Sequence, residues 1–129
     1  MSDEDVDFSD EFCRFLQTHV PAVEAAELLF VYLRDPARPL TLGEAIRALG
    51  PGISEADAER YLGALRDDLL APTEGGAFRY QPASAELDAQ AGKLARLYRE
   101  RPVTLIRVIY GLRDSKIQSF ADAFRLRRK

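Results

Sequence analysis

Glycine and proline cut the middle of this sequence into short, tightly turned pieces, and that punctuation limits what it can fold into. Gly50-Pro51-Gly52 stops whatever precedes it, and Gly75-Gly76 offers two positions that accept positive φ. Between these breaks the apolar residues recur at helical period. Thr41-Leu42-Gly43-Glu44 is a capping box, in which the threonine hydroxyl accepts a first-turn N–H while Glu44 reaches back. Leu42, Ala45, Ile46 and Leu49 then share one side of a short helix. Ser54 and Asp57 open the next helix in the same manner, with Ala58, Leu62, Leu65 and Leu69 as its buried stripe. Two short apolar pieces, 69–72 and 77–81, flank the paired glycines as the strands of a hairpin. Pro72 confines the first of them to an edge or an end.

The flanks read as more helix. Residues 1–8, rich in Asp and Glu with little to bury, are expected to be a disordered acidic tail. Ser9 is placed to cap a helix whose apolar residues are Phe12, Phe15, Leu16 and Val20. Cys13 sits among them as a small buried hydrophobe, and His19 at the C-terminal end is accounted for by the helix dipole. Pro21 suits the first turn of a second helix, apolar on nearly every side from Leu28 to Leu33 and therefore expected to run through the core. Asp35-Pro36 and Pro39 end it and hold an extended connection.

Ser84 opens a longer helix with Leu87, Ala91, Leu94 and Tyr98 in line, closed before Pro102, and that line would also serve as a dimer seam. Val103 to Tyr110 leans to helix, although its Val, Ile and Thr would also fit a strand, and Gly111 is expected to break it. Ser115 with Gln118 forms a third capping box ahead of Ile117, Phe120, Ala121 and Phe124. Phe120 and Phe124 are expected to complete the core, a docking helix being the other reading.

Helix, short helix, Gly/Pro turn, helix and hairpin, within 22–81, resembles a winged helix-turn-helix domain in element order, turn chemistry and loop length. The resemblance covers about half of the chain. It implies a mainly α fold: a core of three helices and a two-stranded hairpin, preceded by an extra N-terminal helix and followed by a C-terminal helical extension. Boundaries follow at 1–8 (tail), 9–82 (winged-helix-like domain with its N-terminal helix) and 83–129 (basic helical extension packed on, or dimerising with, the core). By the same resemblance, residues 54–68 would be the helix that reads the DNA major groove. Gly75 and Gly76 would form the wing tip, with Arg79 beside it.

The residues on that helix carry the wrong charge for groove reading. Residues 54–68 hold five acids against two arginines, and the face opposite the leucines offers Glu55, Glu59, Arg60, Gly63, Arg66 and Asp67. Duplex affinity comes largely from neutralising phosphates, and base reading needs Arg, Lys, Asn or Gln. Positive charge lies elsewhere. From Lys93 to the end there are 11 Lys/Arg and 3 Asp/Glu, whereas everything before carries 7 basic and 18 acidic residues. An anionic partner would accordingly be met by Lys93, Arg96, Arg99, Arg107, Arg113, Lys116, Arg125, Arg127, Arg128 and Lys129.

Several function classes drop out. The longest apolar run, Leu28 to Leu33, is far too short to span a membrane, and the acidic start does not look like a signal peptide. One cysteine and one histidine cannot build a zinc site, and no phosphate-binding or metalloprotease motif occurs, so neither cofactor nor metal nor catalysis is expected. Cysteine use fits the cytoplasm. The expected function is a cytoplasmic regulator in transcription or another DNA-linked process, touching nucleic acid through the basic C-terminal helices. The alternative is a protein–protein interaction adaptor that uses the same fold without DNA and docks a basic partner on its acidic third helix. A homodimer through residues 84–110 is compatible with both.

Overall fold

The computed structural model describes residues 6–113. It is mainly helical with a small antiparallel sheet. In chain order the elements are α1 (Asp10–His19), α2 (Val23–Leu33), β1 (Leu40–Thr41), α3 (Leu42–Leu49), α4 (Glu55–Leu65), β2 (Leu70–Pro72), β3 (Ala77–Tyr80), α5 (Ala85–Glu100) and α6 (Pro102–Leu112). A single 3-10 turn, Val6–Phe8, precedes α1.

Local chemistry sets the helix starts. Ser9, Thr41, Ser54 and Ser84 each accept a hydrogen bond from the backbone N–H three residues on, satisfying a donor the helix itself cannot. At Thr41 the box is complete, because Glu44 Oε1 accepts the Thr41 N–H at 2.8 Å. Those bonds hold the Glu44 carboxyl below its ordinary pKa, the backbone N–H of Thr41 contributing most. Gly50 and Gly52 separate α3 from α4 at φ 87° and 117°, a region closed to most side chains.

One apolar cluster joins every helix. Leu28, Leu29 and Tyr32 of α2 are fully buried in one cluster with Phe12 and Leu16 of α1, Ala45 of α3, Leu65 of α4, Leu94 and Leu97 of α5, and Leu105 and Ile109 of α6. Removing a Leu of this kind from water contributes about 1.5–3 kcal/mol. From Leu28 to Leu33 α2 is apolar on nearly every side, and it buries Leu28, Leu29, Val31 and Tyr32 there. Its Tyr32 hydroxyl donates to the Leu40 carbonyl at 3.2 Å, tying the central helix to the sheet. Burial first, then the Glu44 charge, pushes that phenol up to about 12.

The structure corrects the expected outline in five places. The sheet has three strands, not two: Leu40 and Thr41 pair with Phe78 and Ala77, giving the order β1-β3-β2. Leu40 and the helix cap Thr41, directly after Pro39, carry no strand signal; their pairing with a segment far along the chain makes them one. β2, which contains Pro72, is an edge strand as expected. Ala22, not Pro21, is the residue preceding α2, so Pro21 lies one step outside the helix. Gly111 does not break α6, which continues to Leu112 because Leu112 is buried. Finally, α4 stops at Leu65, so Arg66 and Asp67 lie beyond it.

The fifth correction concerns the acidic tail, whose last two residues are held in place. Phe8 is buried against Phe12, with ring centroids 6.0 Å apart. Asp7 bridges two arginines of the C-terminal helices. The third capping box and the expected apolar positions Phe120 and Phe124 lie outside the described residues.

Candidate interaction surfaces

α4 presents an exposed face of Glu55, Glu59, Arg60 and Gly63, because Ala58, Tyr61, Leu62 and Leu65 take the buried side. Its one arginine is neutralised by its own helix. Arg60 Nη2 lies 2.9 Å from Asp57 Oδ1 and 3.5 Å from Tyr61 Oη, with the guanidinium over the Tyr61 ring. The contact with the Tyr61 hydroxyl and the Asp57 charge raise the Arg60 pKa further. The carboxylates of Glu55 and Glu59 have no such partner among the described residues, so the net sign of this face is negative.

Beyond Leu65 the chain turns sharply. Asp67 adopts φ 75°, a left-handed conformation that Asp tolerates better than most residues, and its N–H donates to Leu70 O at 2.7 Å. Arg66 therefore folds over the Phe78 ring, at 5.4 Å, rather than continuing the α4 face. Of the residues expected to form the wing, Gly75 and Gly76 lie in the turn between β2 and β3, and Arg79 lies in β3 opposite Ala71. The two glycines have φ 72° and 76°, and Arg79 donates to Gln81 Oε1 at 2.8 Å. Arg60, Arg66 and Arg79 are thus each engaged by a group of this chain.

His19 is buried at the end of α1, where its Nδ1 lies 2.8 Å from the Ala64 carbonyl. A carbonyl oxygen only accepts, so Nδ1 carries the proton. Nε2 lies 3.5 Å from Asp68. The helix dipole alone does not explain this histidine: it fastens α1 to the end of α4, a partner 45 residues away that local sequence could not reveal.

The basic set divides. Arg96 and Arg101 hold the two oxygens of Asp7 at 2.8 and 2.9 Å, and Arg96 also meets Glu100 at 3.1 Å. The Arg96 hydrogen bond above all, then that of Arg101, holds the Asp7 carboxyl below its usual range. The Lys93 ammonium lies 4.7 Å over the Phe12 ring. One carboxylate of the acidic start, Asp7, therefore meets two arginines of the basic half, Arg96 and Arg101.

Arg99, Arg107 and Arg113 have no carboxylate partner among the described residues. Arg99 reaches only the Ala95 carbonyl at 3.4 Å, and Arg113 lies over the Tyr110 ring at 5.3 Å. Lys116, Arg125, Arg127, Arg128 and Lys129 lie outside the described residues. The line Leu87, Ala91, Leu94 and Tyr98 packs on the core instead of forming an open seam, and Tyr98 donates to Glu27 at 2.7 Å.

Sequence reasoning missed the outer face of α6. Val103 and Tyr110 are 62% and 41% exposed, and they are the large hydrophobic residues left exposed among those described. A count at i, i+4 and i+7 from Val103 would have grouped them with Arg107.

Among the described residues no three His, Cys, Asp or Glu side chains gather as metal ligands, and no helix is long and apolar enough to cross a membrane. Cys13 is buried, its thiol 3.8 Å from the Phe8 carbonyl. Compared with protein-family models, with curated proteins and with solved structures, the chain matches none.

Proposed function

We propose that this chain is a winged-helix protein-interaction adaptor acting in transcription or another DNA-linked process, in which α4 docks a basic segment of a partner protein. In this reading α2, α3 and α4 are the three core helices, the β2–β3 hairpin is the wing, and β1 adds the third strand. One observation carries the adaptor reading over DNA recognition: Arg60 is neutralised by Asp57 while Glu55 and Glu59 stay exposed. A face of that sign is repelled by phosphate and attracts lysine and arginine. The engagement of Arg96 and Arg101 by Asp7 works the same way, since it removes two cations from the surface offered to a duplex.

The test uses two probes on the full chain, a labelled lysine-rich peptide and a random duplex. The peptide should bind at low salt and be weakened about tenfold or more by Glu59→Arg, a change of roughly 1.4 kcal/mol. The duplex should not be retained at about 50 mM salt. Duplex binding that falls steeply toward about 200 mM salt and is lost in a triple reversal of Arg99, Arg107 and Arg113 to Glu would replace the adaptor by a nucleic-acid-binding regulator.

A further inference from the structure

We propose that the outward stripe of α6, made by Val103, Arg107, Tyr110 and Arg113, is a second docking site, and that it takes an acidic amphipathic helix of another protein. This goes beyond the adaptor reading, because the surface, its sign and its partner all differ from those of α4.

The stripe has the chemistry of an interface centre. Positions 103, 107 and 110 stand at i, i+4 and i+7, so their side chains line one face over about 10 Å of helix. Val103 is 62% exposed and Tyr110 41%, whereas the other large apolar side chains among the described residues are buried or half-buried. Pro102–Leu112 contains no Asp, Glu or Lys. Aromatic residues and arginine are enriched at interface centres, and lysine and glutamate are depleted there. Arg113 lies over the Tyr110 ring and presents a flat, cation-covered aromatic surface.

Charge selects the occupant. Arg60, Arg96 and Arg101 each have a carboxylate within 3 Å, whereas neither Arg107 nor Arg113 has one among the described residues. An incoming helix with two carboxylates flanking apolar residues would supply what these two arginines lack. A second copy fits poorly. An antiparallel two-fold pairing of this stripe, centred between Val103 and Tyr110, sets Arg107 against its own copy, and like charges facing each other repel. A nucleic-acid strand also fits poorly, because stacking of successive bases needs several rings and this stripe has a single tyrosine.

The probe is a labelled synthetic helix of about three turns, with Leu at i, i+4 and i+7 and Glu between, titrated against the full chain by fluorescence anisotropy. Arg107→Glu and Tyr110→Ala should each weaken it about tenfold or more, while Arg99→Glu and Glu59→Arg leave it unchanged. Both affected positions are exposed, and unchanged thermal melts confirm that the variants fold. Equal binding of the probe to Arg107→Glu or to Tyr110→Ala, or equal binding of a Lys-for-Glu version of it, overturns the proposal. So does tighter binding of oligo-dT than of the peptide. Sedimentation showing a dimer that Tyr110→Ala dissolves would assign the stripe to a second copy instead.

Discussion

α4 and α6 are both eleven-residue helices that bury one side in the same apolar cluster, yet their outer faces carry opposite signs. Each has one arginine. In α4 the residue three before it is Asp57, so Arg60 closes an ion pair on its own helix and the remaining glutamates set the sign. In α6 the residue three before Arg107 is Thr104, and no carboxylate occurs anywhere along the helix. The lesson is that arginine count says little about a surface. What matters is whether an acid is brought within reach, either three or four residues away on the same helix, as Asp57 is, or by the fold, as Asp7 is at Arg101.

The buried sides should be interchangeable where the outer faces are not. Leu65→Ala in α4 and Leu105→Ala in α6 each empty a fully buried site and should each cost about 2–5 kcal/mol in urea unfolding. A loss under about 1 kcal/mol in either helix would mean that helix is not part of the shared core.

A smaller effect tests why Arg96 and Arg101 resemble Arg60 rather than Arg107. Asp7→Asn should destabilise the fold by about 1 kcal/mol near neutral pH by unpairing Arg96 and Arg101. The Asp7 pKa is lowered by folding, so its contribution is complete above the ordinary carboxylate pKa. It is lost as pH falls through the lower folded value. Wild type and variant should therefore converge in urea midpoint as pH drops below about 4. A difference that persists in acid would locate the effect in packing around Phe8.

The smallest change converts one helix into the other. Thr104→Asp places an acid three residues before Arg107, as Asp57 stands before Arg60, and should alter stability by only about 0.2–0.5 kcal/mol. If the cis pair forms, binding of an acidic peptide to α6 should weaken while the melting temperature moves by no more than about 3 °C. An unaltered affinity would show that a neighbouring acid does not by itself decide the sign of a face.

How much of this was legible depends on the range of the interaction. Ser9, Thr41, Ser54 and Ser84 act on backbone three residues away, and each starts a helix as its neighbours imply. The Gly75-Gly76 turn is equally local. Helix periodicity continues through Leu69 and puts Arg66 and Asp67 on the α4 face, whereas the chain leaves the helix at Leu65 to reach the sheet. Leu40 and Thr41 become a strand only because Phe78 and Ala77 lie beside them. Asp7 reads as part of an acidic tail until Arg96 and Arg101, far along the chain, are placed around it.

The amino-acid order alone determined the four side-chain helix caps, the Gly75-Gly76 turn and the split of charge between the two halves. Each of these follows from spacing within a turn or two, where the backbone's own geometry brings groups together. Tertiary structure decided which charges remain available. Ion pairing falls off over a few ångströms, so whether a cation faces a partner or its own chain depends on folding residues like Asp7 and Arg101 into contact, and the sequence distance between them carries no such information.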